Sequence, residues 1–294
     1  MDTNKTKVGI IGTGNIGTDL LMKVLRSSTL ECGIFAGRNI HSPGIMRAQR
    51  LGVPVSDESI DYIVDNPECC EIVFDATSAE VHARNAPILK RQGKYTIDLT
   101  PAHIGKFCIP IINADEGIKT DNINMITCGG QATVPIAYAI AKIHPDVRYI
   151  EIVATIASKS AGTGTRNNID EFTQTTRDAL IHFTGIQNAK AIITLNPAEP
   201  PITMHNTIYA IIDSPDMDHI TKAVKSMAAE IQKYVPGYKI LNGPIYENGR
   251  VTTTLQVMGS GDFLPQYSGN LDIITCAAVE MAERYADSKR GRKK

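Results

Sequence analysis

No run of about eighteen consecutive apolar residues, the length a membrane-spanning helix needs, occurs in this 294-residue chain. A helical membrane span is thereby excluded. Nor does an apolar leader stand ahead of the first strand: Met1-Asp-Thr-Asn-Lys-Thr-Lys7 is polar, so the cytoplasm is the expected compartment. Charge of neither sign is in excess. Lys and Arg number 30 against 31 Asp and Glu, a formal net charge of −1, which removes the global electrostatic case for nucleic acid. The basic run Lys289-Arg-Gly-Arg-Lys-Lys294 reads as a solvated chain end. Metal-ligand spacing is missing as well. The six cysteines stand at 32, 69, 70, 108, 128 and 276, with one adjacent pair and no second pair, so no metal site is expected. A reducing compartment fits that usage. Internal repeats, low-complexity tracts and long linkers are also lacking. What remains, 43% hydrophobic and 21% charged, is an ordinary globular composition long enough for two domains.

The N-terminal segment carries the first positive signal. Lys7-Val-Gly-Ile-Ile reads as a β-branched strand, followed by Gly12-Thr13-Gly14-Asn15-Ile-Gly17 and a helix running to about Arg26. A Gly-x-Gly-x-x-Gly turn between a strand and a helix is the dinucleotide fingerprint in its required context: a tight turn, close approach to a pyrophosphate, and close helix–strand packing. An acid normally follows the second strand and accepts a ribose hydroxyl of NAD. Here that strand ends Phe35-Ala-Gly37-Arg38-Asn39, and Arg38 could face a 2′-phosphate, so NADP use stays open beside NAD.

The second signal is Asn124-Met-Ile-Thr-Cys128-Gly-Gly-Gln131-Ala-Thr-Val-Pro135, read as a short strand, a cysteine on the turn, and a helix. A thiol at a helix N-terminus meets unpaired N–H groups and the positive end of the helix dipole, which lower its pKa and raise its nucleophilicity. The glycines would let a substrate oxygen approach backbone donors. Free cysteine is also among the most buried residue types, so on this pattern alone a structural cysteine stays open.

Strands and helices alternate through the first half: Glu31–Gly37, a helix over Ile45–Leu51, an extended Val53–Val55, Glu71–Ser78, a helix over Ala79–Gln92, Tyr95–Thr100, a loop around Pro101 to His103, and Asn124–Thr127. Such a succession predicts a Rossmann-type, doubly wound parallel sheet with ligands at the carboxyl ends of its strands, where Thr77-Ser78, Thr100-Pro101 and Cys128 fall. In the second half, strands over Val147–Ala157, Ala191–Leu195, Thr203–Asp213 and Val251–Met258 with helices over Ile169–Thr184 and Met217–Tyr234 predict an α+β domain with a mostly antiparallel sheet. Glu247-Asn-Gly-Arg250 is a hairpin turn, and Leu271–Ala286 an amphipathic helix. The expected organisation is a dinucleotide-binding domain over 1–130, a catalytic and dimerisation domain over 131–268, and over 269–294 a helix returning to the first domain plus the basic tail.

Four motifs together resemble the acylating acetaldehyde dehydrogenases over nearly the whole chain, the basic tail excepted. They are Gly12-Thr-Gly-Asn15, Thr127-Cys128-Gly-Gly-Gln-Ala-Thr, Ser158-Lys-Ser160-Ala-Gly-Thr-Gly-Thr-Arg166-Asn-Asn168-Ile-Asp-Glu-Phe, and Gly261-Asp262-Phe-Leu-Pro-Gln-Tyr-Ser-Gly269-Asn270-Leu-Asp272. The resemblance implies oxidation of acetaldehyde, or another short-chain aldehyde, to acyl-CoA with NAD+ and coenzyme A through a thioester on Cys128. It implies that Gly12, Thr13, Gly14, Asn15, Ser160, Ala161, Gly162, Thr163, Gly164, Thr165, Arg166, Asn167, Asn168 and Asn270 touch NAD. It also implies a homodimer within a larger assembly, and a 4-hydroxy-2-oxovalerate aldolase as a partner that hands over the aldehyde. On physical grounds, Ser160–Arg166 is a glycine-rich loop suited to an anionic or amide ligand, with a capping-box-like Asn168-x-x-Glu171 after it. Asn270, just before the last helix, is by default an N-cap.

One departure from the family bears on mechanism. Its members tend to carry an Asp where Met204-His205-Asn206-Thr207 stands here. Asn206 cannot take a proton, so its expected role is orientation or hydrogen bonding, and strand alternation sends His205 to the opposite face. Two alternatives remain at this level: a phosphorylating semialdehyde dehydrogenase using the same cysteine, and a non-enzymatic nucleotide-sensing Rossmann protein. The first usually pairs its cysteine with a histidine of the second domain, and none of the seven histidines stands in such a motif. The second would leave Cys128 and its glycine pair without explanation.

Overall fold

The computed structural model describes residues 5–162, 166 and 169–291. The chain divides into two compact units: one ends at Met125 and resumes at Thr275, and the other is Ile126–Ile274. Cys128 therefore opens the second unit rather than closing the first.

The first unit holds β1 (Thr6–Ile11), β2 (Leu30–Ala36), β3 (Val55–Ser56), β4 (Ile72–Asp75), β5 (Tyr95–Asp98), β6 (Lys106–Phe107) and β7 (Asn122–Asn124). They form one seven-stranded sheet in the order β3-β2-β1-β4-β5-β7-β6, and every pairing is parallel. Ile10 and Ile11, like Val73 and Phe74, are neighbours pointing to opposite faces, and all are fully buried. Both faces of a parallel sheet are covered, which is why these strands read as continuous apolar runs. Burial of each such side chain contributes about 1.5–3 kcal/mol. The connecting helices are α1 (Asn15–Arg26), α2 (Pro43–Arg50), α3 (Ile60–Asp65), α4 (Ala79–Arg91) and α5 (Pro110–Gly117). The strand order turns at β1 and β4, so the crevice at their carboxyl ends is the ligand edge of this topology.

The second unit holds β8 (Tyr149–Ala157), β9 (Ala189–Asn196), β10 (Met204–Ile211), β11 (Tyr238–Glu247) and β12 (Arg250–Val257), with α6 (Cys128–Ile143), α7 (Ile169–Thr184) and α8 (Met217–Gln232). Its sheet runs β11-β12-β10-β8-β9. All pairings are antiparallel except the parallel β8–β9 pair. Alternation is clean. Ile150, Ile152 and Ala154 on β8, Met204, Asn206 and Ile208 on β10, and Val251, Thr253 and Leu255 on β12 are buried, while the residues between them keep accessible surface.

Several elements differ from the sequence expectation for physical reasons. The strand expected at Asn124–Thr127 ends at Asn124, because Ile126 turns the chain at φ 64 and Thr127 already caps α6. α3, at six residues, is too short to show a helical period. β11 was not foreseen, since Asn242-Gly-Pro244 interrupts its pattern; the register shifts between Ile240 and Asn242 and again between Asn242 and Ile245 absorb the break. The last helix, α9 (Gly269–Gly291), is longer at both ends than Leu271–Ala286. Its part beyond Thr275 belongs to the first unit. There Thr275 Oγ1 donates to Asp19 at 2.5 Å, Ser27 Oγ donates to Glu283, and the Tyr285 ring stacks on Tyr95 with centroids 4.0 Å apart.

Candidate active site

Each glycine of the fingerprint has its own reason. Gly12 sits at φ +105, and a Cβ there would lie 2.5 Å from the Ala76 carbonyl oxygen. A Cβ at Gly17 would stand 1.8 Å from the Gly12 oxygen, so helix and strand could not approach with any side chain present. Gly14 is different: nothing lies within 4 Å of its Cβ position. It is the N-cap of α1 and no side chain caps that end, so the first N–H groups are left for an outside acceptor. Gly14 and Asn15 are exposed, while Thr13 is anchored beneath them, its Oγ1 3.1 Å from Ser42 Oγ. This cradle fits a dinucleotide pyrophosphate. Arg38 stands exposed just beyond β2.

Cys128 is the first residue of α6. The preceding Thr127 accepts the Gly130 N–H at 2.9 Å and shares a 2.7 Å hydrogen bond with Thr176 of α7. Ile126, buried and β-branched, holds a left-handed conformation, which costs about 1–3 kcal/mol and persists only where surroundings over-determine it. Such strain concentrates at functional sites. The glycine pair proves to have packing reasons. A Cβ at Gly130 would lie 2.7 Å from Ile126 Cγ2, and one at Gly129 would lie 3.0 Å from the Phe172 ring and 3.3 Å from Ala154 Cβ.

The thiol overturns one expectation. The N–H groups of Gly129 and Cys128 favour the thiolate, but burial outweighs them and pushes the pKa up to about 12. The helix terminus contributes its hydrogen bonds, yet packed atoms have taken away more hydration than two N–H groups restore. The residue as a whole is only partly buried, while the thiol itself is enclosed by packed atoms.

Asn206 lies on the same face of the second sheet, 1% exposed. It pairs across the strands with Ala154 and Leu255, and Ala154 is the residue on which Gly129 packs. Neither Nδ2 nor Oδ1 of Asn206 has a hydrogen-bond partner among the described residues, nor has the neighbouring Thr253 Oγ1. Leaving one such buried group unmade costs about 1–3 kcal/mol. His205 turns the other way, its ring Nδ1 2.9 Å from the Thr203 carbonyl. Among the described residues no histidine hydrogen-bonds Cys128.

The remaining positions divide. Ser160 donates to the Ala157 carbonyl, and Asn270 Nδ2 reaches the Ser160 carbonyl at 3.4 Å while its Oδ1 has no partner among the described residues. Asn270 is the second residue of α9, so it is not the cap of that helix. Arg166 spends donors on its own loop, binding the Ser158 carbonyl at 2.6 Å, Ser158 Oγ at 2.8 Å and the Ala161 carbonyl at 3.2 Å. Ala161 is buried and Gly162 exposed. Thr163, Gly164, Thr165, Asn167 and Asn168 lie outside the described residues. Sequence reasoning missed Thr176, Phe172 and Thr253; only the packing of α7 and the pairing of β12 bring them here.

A parallel sheet unit followed by an α+β unit is an arrangement that a solved structure also has. The chain shares it with the crystal structure of aspartate semialdehyde dehydrogenase II complexed with ASA from Vibrio cholerae, at TM-score 0.60 and 15% identity over 95% of this chain and 97% of that one. The chain itself belongs to the acetaldehyde dehydrogenase family. It is 53% identical to the acetaldehyde dehydrogenase of Pectobacterium atrosepticum over 98% of both chains. It is 51% identical to that of Spirochaeta aurantia (95% of this chain, 94% of the relative) and 50% identical to that of Geobacillus stearothermophilus (97% and 98%). The family model described as prokaryotic acetaldehyde dehydrogenase, dimerisation, matches residues 128–265. Membership makes the chain an oxidoreductase that works with a nicotinamide dinucleotide.

Proposed function

We propose that this protein oxidises acetaldehyde, or another short-chain aldehyde, to the acyl-CoA, with NAD+ as oxidant and coenzyme A as acceptor. The observation that carries the reading is Cys128 at the start of α6, whose neighbour Gly129 packs on Ala154, the β8 residue in register with the buried Asn206 amide, which has no hydrogen-bond partner among the described residues. The Cys128 sulfur adds to the aldehyde carbon, the C=O π bond becomes a C–O single bond, and the thiol proton passes to that oxygen, from which it is released to solvent when the hydride departs. With the thiol held up near 12, that proton transfers as the carbon is attacked, since a standing thiolate is scarce at neutral pH. The oxygen that gains charge needs donors, and the Asn206 Nδ2 is a donor without another use. NAD+, when bound, supplies the hydride acceptor that turns the hemithioacetal into a thioester. Coenzyme A thiol then attacks the thioester carbonyl, the carbon–sulfur bond to Cys128 breaks, and Cys128 regains a proton.

Gly12, Thr13, Gly14 and Asn15 would hold the cofactor phosphates, with Ser160–Asn168 and Asn270 contacting NAD as the family resemblance implies. Arg38 is the group that would meet a 2′-phosphate if NADP were taken. A homodimer formed through the second unit is supported by the dimerisation model and by exposed Leu241, Ile245 and Tyr246 on β11. A larger assembly, a 4-hydroxy-2-oxovalerate aldolase partner and a cytoplasmic setting complete the reading, on the resemblance alone.

The test is NADH formation from acetaldehyde with coenzyme A or with inorganic phosphate as the only acceptor. CoA-dependent formation is expected. Phosphate dependence would instead assign the phosphorylating chemistry, and no turnover with either would return the chain to a binding role.

A further inference from the structure

The carboxyl edge of the first sheet contains a buried ionisable array that the reaction above does not use. Asp75 ends β4 and Asp98 ends β5, in direct register, and both are fully buried. Between them lies the fully buried imidazole of His82 from α4, its Nδ1 3.0 Å from Asp75 Oδ2 and its Nε2 3.4 Å from Asp98 Oδ2. The other oxygens of the two acids are committed to the backbone. Asp75 Oδ1 accepts the Thr77 N–H at 3.1 Å, and Asp98 Oδ1 accepts the Thr100 N–H at 2.7 Å. Each acid thus folds its strand end into a turn, and the first turn is the one against which Gly12 packs, 2.5 Å from Cβ position to the Ala76 oxygen.

The neighbours define the charge. Asn85 and the Thr77 hydroxyl donate to Asp75, Asn124 donates to Asp98 and to the Thr100 carbonyl, and among the described residues no cation but the histidine itself bonds either carboxylate. Asn122 faces Nε2 at 3.2 Å through its amide nitrogen while its Oδ1 has no partner. Nitrogen and oxygen of an amide are interchangeable by a flip. Flipped, the Asn122 oxygen accepts an Nε2 proton, and both ring N–H groups have acceptors.

We propose that His82 is a positioning residue for the dinucleotide edge: its doubly protonated ring, drawn between Asp75 and Asp98, fixes the strand-end turns at Thr77 and Thr100. The inference rests on the reading of Gly12–Asn15 as the cofactor seat. Burial opposes charging the ring, but the Asp75 hydrogen bond and the charges of Asp98 and Asp75 outweigh it and hold His82 above its ordinary value. Burial likewise pushes Asp98 up to about 7, against the pull of His82. Both shifts mean that the folded array binds protons better than the unfolded chain, so its cohesion is lost as pH rises. Asp75 and Asp98 are the charged groups facing the ring; Asn85 and Asn122 are neutral, and the exposed Lys90–Asp121 pair lies one residue from Asn122.

The experiment is NADH fluorescence titration from pH 6 to 9.5 on the whole protein and on His82→Gln, together with nitrogen-15 NMR of labelled histidine in the unsubstituted protein. Affinity of the unsubstituted protein should fall about five- to tenfold as His82 loses its proton. His82→Gln should bind about tenfold more weakly at pH 7, with that pH dependence gone. The NMR should report both ring nitrogens of His82 protonated at pH 7. A neutral His82 at pH 7, or His82→Gln with unchanged affinity and pH profile, overturns the proposal. Failure of the unsubstituted protein to bind NADH would instead sink the dinucleotide reading, and the NMR still decides the state of the ring if the variant does not fold.

Discussion

Two helices of this protein begin in glycine-containing turns just beyond strand ends, and their N-termini do opposite things. At α1 the capping residue is Gly14, no side chain closes the end, and open space surrounds the cap. At α6 the cap is Thr127, braced by Thr176, and the glycines that follow are packed against Phe172, Ala154 and Ile126. The helix dipole is the same at both. The open end can serve an anion that arrives from solution with its own counter-charge and partial hydration. The closed end must offset the lost hydration of a thiol with a few N–H groups, and it fails to, so Cys128 rests protonated. Helix position alone does not set a pKa; the number of atoms packed around the group does.

The largest effect expected from testing this contrast is at the closed end. Cys128→Ser should lower CoA-dependent NADH formation about a thousandfold or more, since an alkoxide nucleophile is far harder to generate than a thiolate. NADH affinity should be unchanged. A variant keeping a few per cent of activity would end the thioester mechanism. Next, Asn206→Ala should reduce turnover roughly ten- to a hundredfold, the cost of one or two positioned hydrogen bonds. Asn206→Asp, nearly isosteric, should add a pH dependence in turnover that the unsubstituted protein lacks. Identical rates and profiles in all three proteins would place position 206 outside the chemistry.

Alkylation of Cys128 by iodoacetamide sharpens the same point. With the thiol near 12, the free enzyme should react slowly at pH 7.5 and accelerate about tenfold per pH unit up to about pH 10. A rate already flat above pH 7 would mean that the helix terminus does prevail over burial. The open end is tested by a pair of substitutions. Gly14→Ala meets no neighbour, so Tm should stay within about 3 °C while NAD+ affinity falls about tenfold. Gly17→Ala drives a methyl into the Gly12 oxygen and should cost about 3 kcal/mol, lowering Tm by roughly 10 °C. Equal effects of the two on stability would erase the distinction between a ligand glycine and a packing glycine.

The open end was readable from sequence because its requirements fall on consecutive residues. The positive φ of Gly12 and the approach of Gly17 to the Gly12 oxygen are reasons local to one turn, and the strand and helix around them carry their own apolar periods. The parallel sheet follows from the alternation of strands and helices for the same reason, while its strand order, with β7 between β5 and β6, was not readable. At the closed end only the place of Cys128 was legible. That Gly129 and Gly130 answer to packing depends on Phe172, Ala154 and Ile126, and no period links those positions. α3 was illegible because six residues are too few for a pattern, α5 because Asn113 leaves helical geometry within it at φ −141, and β11 because a Gly-Pro pair breaks its alternation.

The alternation of strands and helices in the first half, the glycine turn between β1 and α1 and a cysteine at a helix start were determined by the sequence alone, since each rests on neighbours within a few residues. The tertiary structure decided what those parts are electrically. Burial set the protonation of Cys128, strand pairing left the Asn206 amide without a partner among the described residues, and the register of β4 with β5 placed His82 between two carboxylates. Hydration is lost to whatever atoms the fold brings near, and those atoms come from residues far apart along the chain.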